Sequence, residues 1–184
     1  MRAEKIRKEV LNMTFMELAQ NRYSERFFDP RQVEDEKLRQ ILEAGRIVPT
    51  ACNYQPQRIF VIHSEEARAK LAALTRMGYG APVSLLVCYD KNESWKNTQK
   101  TFGEDYEGGE MDACIVGTQM MNMATELGLG TLWARGFNAQ KIHDAFDLPE
   151  NIVVSFLLDI GYPAVSSVNH HTPRKELSAT VTEL

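Results

Sequence analysis

Glu110-Met111-Asp112-Ala113-Cys114-Ile115-Val116-Gly117-Thr118-Gln119-Met120-Met121-Asn122-Met123-Ala124-Thr125-Glu126-Leu127 is the stretch on which the fold turns. A helix wound from these residues is apolar or small on nearly every side, so it must be buried all round, either at a core centre or between subunits. Its methionines read as packing, not as a cofactor box. Gly128 ends it as a C-cap. Gly128-Leu129-Gly130 is not a dinucleotide fingerprint, because the order here is helix, glycines, strand, and the third glycine is missing.

Working outward toward the C-terminus, Thr131 to Arg135 reads as a strand, Asn138 caps a short helix through Phe146, and Asn151 to Ile160 forms a long apolar strand before Gly161-Tyr162-Pro163. The tail beyond is polar and would lose conformational entropy on ordering unless it docks on something. Working toward the N-terminus, the segment from Asp90 to about Gly109 loses periodicity while keeping Trp95, Phe102 and Tyr106, which suits a flap near a site. Val83 to Tyr89 and Arg58 to His63 are strand runs, and Ser64-Glu65-Glu66 opens a helix carrying Ala67, Leu71 and Leu74. Leu38, Ile41, Leu42 and Gly45 mark a helix stopped by Pro49, and Thr14-Phe15-Met16-Glu17 is a capping box that delivers Arg22 to a helix end. The fold class is α+β, with helices on both sides of a sheet and the Glu110–Leu127 helix at the centre.

The chain has 184 residues, enough for one domain and too few for two ordinary ones. Its formal net charge of -4 offers no basic field for nucleic acid or an anionic membrane, and no apolar run reaches spanning length. Cys52, Cys88 and Cys114 are odd in number and widely spaced, as reduced cytoplasmic thiols are. His63, His143, His170 and His171 lack ligand spacing, so no metal site is expected. No activating base accompanies Cys52, so it is not read as a nucleophile.

Two segments carry the chemistry. Arg22-Tyr23-Ser24-Glu25-Arg26-Phe27-Phe28 sets two arginines four apart with a serine between them, and Pro49-Thr50-Ala51-Cys52-Asn53-Tyr54-Gln55-Pro56 adds hydroxyl and amide groups on a turn-rich backbone. Guanidinium, hydroxyl and amide donors suit a flat phosphorylated ligand. By themselves the arginines also fit a solvated helix end.

Arg-Tyr-Ser-x-Arg-x-Phe, the Pro49–Pro56 block and Glu126-Leu127-Gly128-Leu129-Gly130-Thr131-Leu132-Trp133 followed by Arg135-Gly136-Phe137 resemble, in this order, the signatures of the nitroreductase-like family of FMN-dependent NAD(P)H oxidoreductases. Ile160-Gly161-Tyr162-Pro163 ahead of the basic pair Arg174-Lys175 is similar to the family's closing tail. The resemblance implies an intertwined homodimer, a mixed and mostly antiparallel sheet, and one FMN-binding domain over 14–184 after an N-terminal extension of 1–13. It implies that Arg22 and Ser24 hold the FMN phosphate and ribityl end, with Arg174 and Lys175 closing from the tail and Tyr23 among the cofactor-binding residues. Arg26 would face the pyrimidine edge, where its charge favours the anionic reduced ring. Arg135 and Gly136 would bring backbone amides to the reactive nitrogen, and Pro49, Thr50 and Asn53 would reach in from the second subunit.

The implied activity is hydride transfer from NAD(P)H through flavin to a nitroaromatic, quinone or similar acceptor, with ping-pong kinetics and no catalytic side chain of the protein's own. A flavin carrier or sensor without turnover would need the same binding residues. The chain departs from the family pattern at Gln57, where an aromatic residue is usual, and at Arg135, where an acid is frequent.

Overall fold

A computed structural model describes residues 13–98, 105–164 and 173–184. The expected extension, save Met13, lies outside the described residues, as do Phe102 and the His170-His171 pair. Five α-helices and four strands follow one another as α1 (Phe15–Asn21), α2 (Asp35–Arg46), β1 (Gln57–Ile62), α3 (Glu65–Leu74), β2 (Val83–Asp90), α4 (Gly109–Glu126), β3 (Gly130–Ala134), α5 (Ala139–Ala145) and β4 (Ile152–Gly161). Each lies within a residue or two of its expected place. The strands form one sheet in the order β1-β2-β4-β3, and every neighbouring pair is antiparallel. The parallel contribution to the expected mixed sheet is a single bridge, Ser24 to Thr131, laid along the edge strand β3.

Local chemistry accounts for the element ends. Thr14 and Glu17 close the expected capping box, with the Thr14 amide donating to Glu17 Oε2 at 2.7 Å and the Glu17 amide donating to Thr14 Oγ1 at 3.3 Å. Ser64 and Asn138 cap α3 and α5 through the amides of Ala67 and Lys141.

The sheet is covered on both faces, so β2 is buried along its whole length. On one face α2 and α4 enclose Ile41, Val116, Met120, Phe156 and Leu158. On the other, α3 and α5 enclose Leu71, Ile142, Leu86, Leu132 and Leu157. The central helix can lie this close to β4 because residue 117 is glycine: a Cβ there would stand 2.4 Å from Phe156 Cζ. Among the described residues no helix is long and apolar enough to cross a membrane.

The expectation that α4 is buried on all sides holds for one side only. Val116, Met120 and Ala124 face the sheet, while Met111 is 58% exposed, Ile115 is 43% exposed and Cys114 is also open. The sheet can cover only one face of a helix, which leaves the outer stripe uncovered by this sheet.

The flap expected over 90–109 has an ordered base. Asn97 donates to the Tyr106 carbonyl and Gly108 to the Trp95 carbonyl, both at 2.9 Å, Ser94 binds Glu107, and the Trp95 and Tyr106 rings sit 6.0 Å apart. These pairings join residues whose side chains alternate too irregularly to signal strands.

Candidate functional site

The first signature segment leaves α1 in extended conformation, Arg22 having φ -67° and ψ 127°. Extended backbone sends alternate side chains to opposite faces, so Arg22, Ser24 and Arg26 share one face and Tyr23 and Glu25 the other. Glu25 is 2% exposed and is the hub of the inner face. Its carboxyl group accepts from the Tyr23 hydroxyl at 2.5 Å, the Arg26 amide at 2.8 Å and the Phe27 amide at 2.7 Å. Burial and this bond to Glu25 push the Tyr23 hydroxyl well above the ordinary tyrosine range. The Glu25 amide donates to the Thr131 carbonyl at 2.9 Å, and Gly130 makes room, since a Cβ there would lie 3.0 Å from the Glu25 side chain.

On the outer face, Arg26 Nη1 donates to the Ser24 carbonyl at 3.2 Å. Neither the Arg22 guanidinium nor the Ser24 hydroxyl bonds to any described residue. These half-buried donors therefore remain available to an anion.

β3 leads from this bridge to Arg135 and Gly136, both exposed. The Arg135 guanidinium lies 5.5 Å over the Phe137 ring, and the Phe137 amide donates to the Arg135 carbonyl at 2.8 Å. Met77, from the turn after α3, lies alongside: a Cβ on Gly136 would be 3.1 Å from its Sδ. Neither the first signature nor the glycine motif points to Met77, and only the chain's return over the sheet brings it here.

The second signature is built differently. Cys52, Asn53 and Gln55 have φ of 51°, 59° and 51°, three left-handed non-glycine residues, interrupted by Tyr54 at φ -72°, that persist only where the surroundings hold them. Thr50 supplies part of that hold, its carbonyl accepting from the Asn53 amide at 2.9 Å and its hydroxyl from the Gln55 amide at 3.0 Å. Asp112, 3% exposed in the first turn of α4, accepts the Ala51 amide at 2.9 Å. Pro49, Asn53 and Tyr54 project outward.

The two signatures are thus tied to opposite ends of α4, the loop to its first turn and the arginine segment to the strand that follows its last. Eighteen helical residues span about 27 Å at roughly 1.5 Å per residue. The third group also stands apart: Pro173–Leu184 is exposed throughout, with Arg174 Nη1 donating to its neighbour's carbonyl at 3.0 Å and Lys175 beside it. Within one chain, then, Arg22, Ser24 and Arg26 lie along the strand that carries Arg135 and Gly136, while Pro49, Thr50 and Asn53 are held at the other end.

Of the cysteines, Cys88 is buried and its thiol is pushed up to about 12 by that burial, whereas Cys52 and Cys114 are exposed, and all three are free.

Comparison with known proteins places these features in a family. The Nitroreductase family model matches residues 19–79 and 73–162. A nitroreductase family protein of Clostridium difficile 630 has a similar structure, with TM-score 0.84 and 39% identity over 92% of this chain and 98% of its own. A candidate nitroreductase of Desulfovibrio desulfuricans, solved in complex with FMN, gives TM-score 0.78 and 27% identity over 94% of this chain and 98% of its own. A candidate NADH dehydrogenase/NAD(P)H nitroreductase of Archaeoglobus fulgidus is 28% identical over 156 residues, 80% of this chain and 84% of that protein.

Proposed function

Because the chain belongs to the nitroreductase family, we propose that it is an FMN-dependent oxidoreductase passing reducing equivalents from NAD(P)H to an electron-poor acceptor such as a nitroaromatic or a quinone. The observation that carries this reading is the row of outward donors, Arg22, Ser24 and Arg26, set along the strand that leads to Gly136. The donor set fits FMN: a guanidinium and a hydroxyl with no partner among the described residues match a phosphate, and a second guanidinium stands two extended residues on. FMN supplies the redox chemistry when bound.

The chain's residues bind and orient. Arg22 and Ser24 hold the phosphate end, and Arg174 with Lys175 closes on it from an exposed tail. Arg26 places positive charge at the pyrimidine edge, where negative charge develops on reduction. Tyr23 acts from beneath, fastening Glu25 and so the strand that aims the two arginines. Arg135 and Gly136 present backbone at the reacting face, where a residue without a side chain permits close approach. Pro49, Thr50 and Asn53 come from the partner protomer, which the separation along α4 requires if both signatures serve one flavin.

A homodimer buried on the Met111–Ile115 stripe therefore completes the site. One slot used in turn by donor and acceptor implies ping-pong kinetics, and free thiols suit a cytoplasmic setting.

The test is an absorbance spectrum of the purified protein before and after each nicotinamide. A flavin band that NADH or NADPH bleaches and an acceptor restores, with parallel initial-velocity lines, supports the reading. A yellow protein that neither nucleotide bleaches is a carrier instead. Arg22→Ala should weaken FMN retention by tenfold or more, and Arg26→Ala should chiefly move the flavin potential.

A further inference from the structure

The turn joining α3 to β2 touches two places. Met77 packs against Gly136, while its neighbours Arg76 and Gly78 line a cavity of about 730 Å³. Gln32, His63, Arg68, Arg76, Tyr79 and Ser84 supply most of its polar wall, and Leu71 with flanking alanines supplies the apolar part. The volume lies within the roughly 300–1,000 Å³ typical of small-molecule sites.

Three independent features converge on this hollow. The guanidinium groups of Arg68 and Arg76 make no hydrogen bond or ion pair with any described residue, which leaves two guanidinium forks against a single lining carboxylate, Glu65. In a chain of formal net charge -4 this is a local concentration of unspent positive charge. Second, Tyr79 has φ 44° and is followed by Gly80 at φ 72°, so an aromatic residue on the wall is held in a left-handed conformation that its surroundings must impose.

Third, the lining residue Ser84 is bonded to an acid buried behind the wall. Ser84, 2% exposed, donates to Asp159 Oδ1 at 2.6 Å, and Asp159 is fully buried with Oδ2 unpartnered among the described residues. Burial raises the Asp159 acid to about 7, so it does not oppose an anion as a full fixed charge. Guanidinium pairs recognise phosphate bidentately, and the Tyr79 ring beside the apolar wall suits a planar base.

We propose that this cavity binds the phosphorylated adenosine end of the pyridine dinucleotide, Arg68 and Arg76 taking its 2′-phosphate, so that the protein prefers the phosphorylated donor. This rests on the reading that the dinucleotide delivers hydride beside Gly136, one turn of chain away. The shared turn is what makes one ligand able to span both places.

The experiment titrates the purified protein, as isolated and after removal of any FMN, with adenosine 2′,5′-bisphosphate by calorimetry. Saturable binding to both forms, at least tenfold tighter than 5′-AMP and at least tenfold weaker in Arg68→Ala, is expected. Arg68→Lys should recover part of the loss, and circular dichroism should show both variants folded. In Arg68→Ala the KM for NADPH should rise while FMN absorbance is retained.

No binding by the unaltered protein, equal affinity for 5′-AMP, indifference to Arg68→Ala in a folded variant, or displacement by inorganic phosphate at equal affinity would each overturn the assignment. A colourless protein that refuses FMN defeats the flavin reading, and the nucleotide titration reports on the cavity separately.

Discussion

The arginine segment and the left-handed loop each hang from a buried acidic residue, yet the two anchors differ. Glu25 is saturated, with a hydroxyl and two backbone amides on its carboxyl group. Asp112 takes one amide from the loop, and its Oδ2 has no partner among the described residues. The first segment is also zipped to β3 by backbone, whereas the loop projects with Pro49, Asn53 and Tyr54 in the open. The difference is that of a part finished within its own chain and a part built to be presented. A buried carboxyl with one bond left unmade costs stability, and the loop's left-handed residues add strain, so this end of the molecule carries stored cost where the proposed second protomer would dock.

The largest effect is expected at the stripe between the two ends. Ile115→Asp puts a charge on the exposed face of α4, and both dimer and bound flavin should be lost together, as read by sedimentation and by the flavin band. A monomer that keeps its flavin would mean that the loop is not needed from a second chain.

Next come the anchors themselves. Glu25→Ala strands three donors at once and should cost about 2–4 kcal/mol in urea unfolding, with flavin retention falling in parallel. Asp112→Ala frees a single amide and should cost only about 1 kcal/mol, while loosening flavin more than stability. Equal losses from the two substitutions would erase the distinction drawn between a finished segment and a presented one.

The third buried acid, Asp159, belongs to neither region and serves as a control that is read through pH. Its folded value, about 7, lies above the ordinary 3.8, so the native state holds the proton more tightly than the unfolded chain. The stability it contributes is whole below the unfolded value and declines as pH rises toward 7, by up to ~1.4 kcal/mol per pH unit. Asp159→Asn should flatten that slope between pH 4 and pH 7, measured as denaturation midpoint against pH. A slope unchanged by the substitution would place the responsible group elsewhere.

The helix caps, Pro49 and the alternation of Arg22, Ser24 and Arg26 were readable because each is a local rule acting within a few residues. Glu25, Asp112 and Asp159 were not. In sequence Glu25 reads as one more surface charge beside two arginines, and Asp112 and Asp159 as polar interruptions in apolar runs. Their partners lie in the turned-back chain, at Ala51 and Ser84, or in backbone amides that no side-chain pattern advertises. Met77 beside Gly136 and the hollow around Arg68 escaped for the same reason.

By itself the sequence determined which residues form helix and strand, and that α4 must bury apolar side chains near the centre of the fold, since burial of apolar side chains at helical or strand period depends only on their order. Tertiary structure decided which face of α4 stays open, that the two signatures sit at its opposite ends, and which acids are buried. Those are matters of distance between residues far apart in the chain, and distance is set when the sheet closes against its helices.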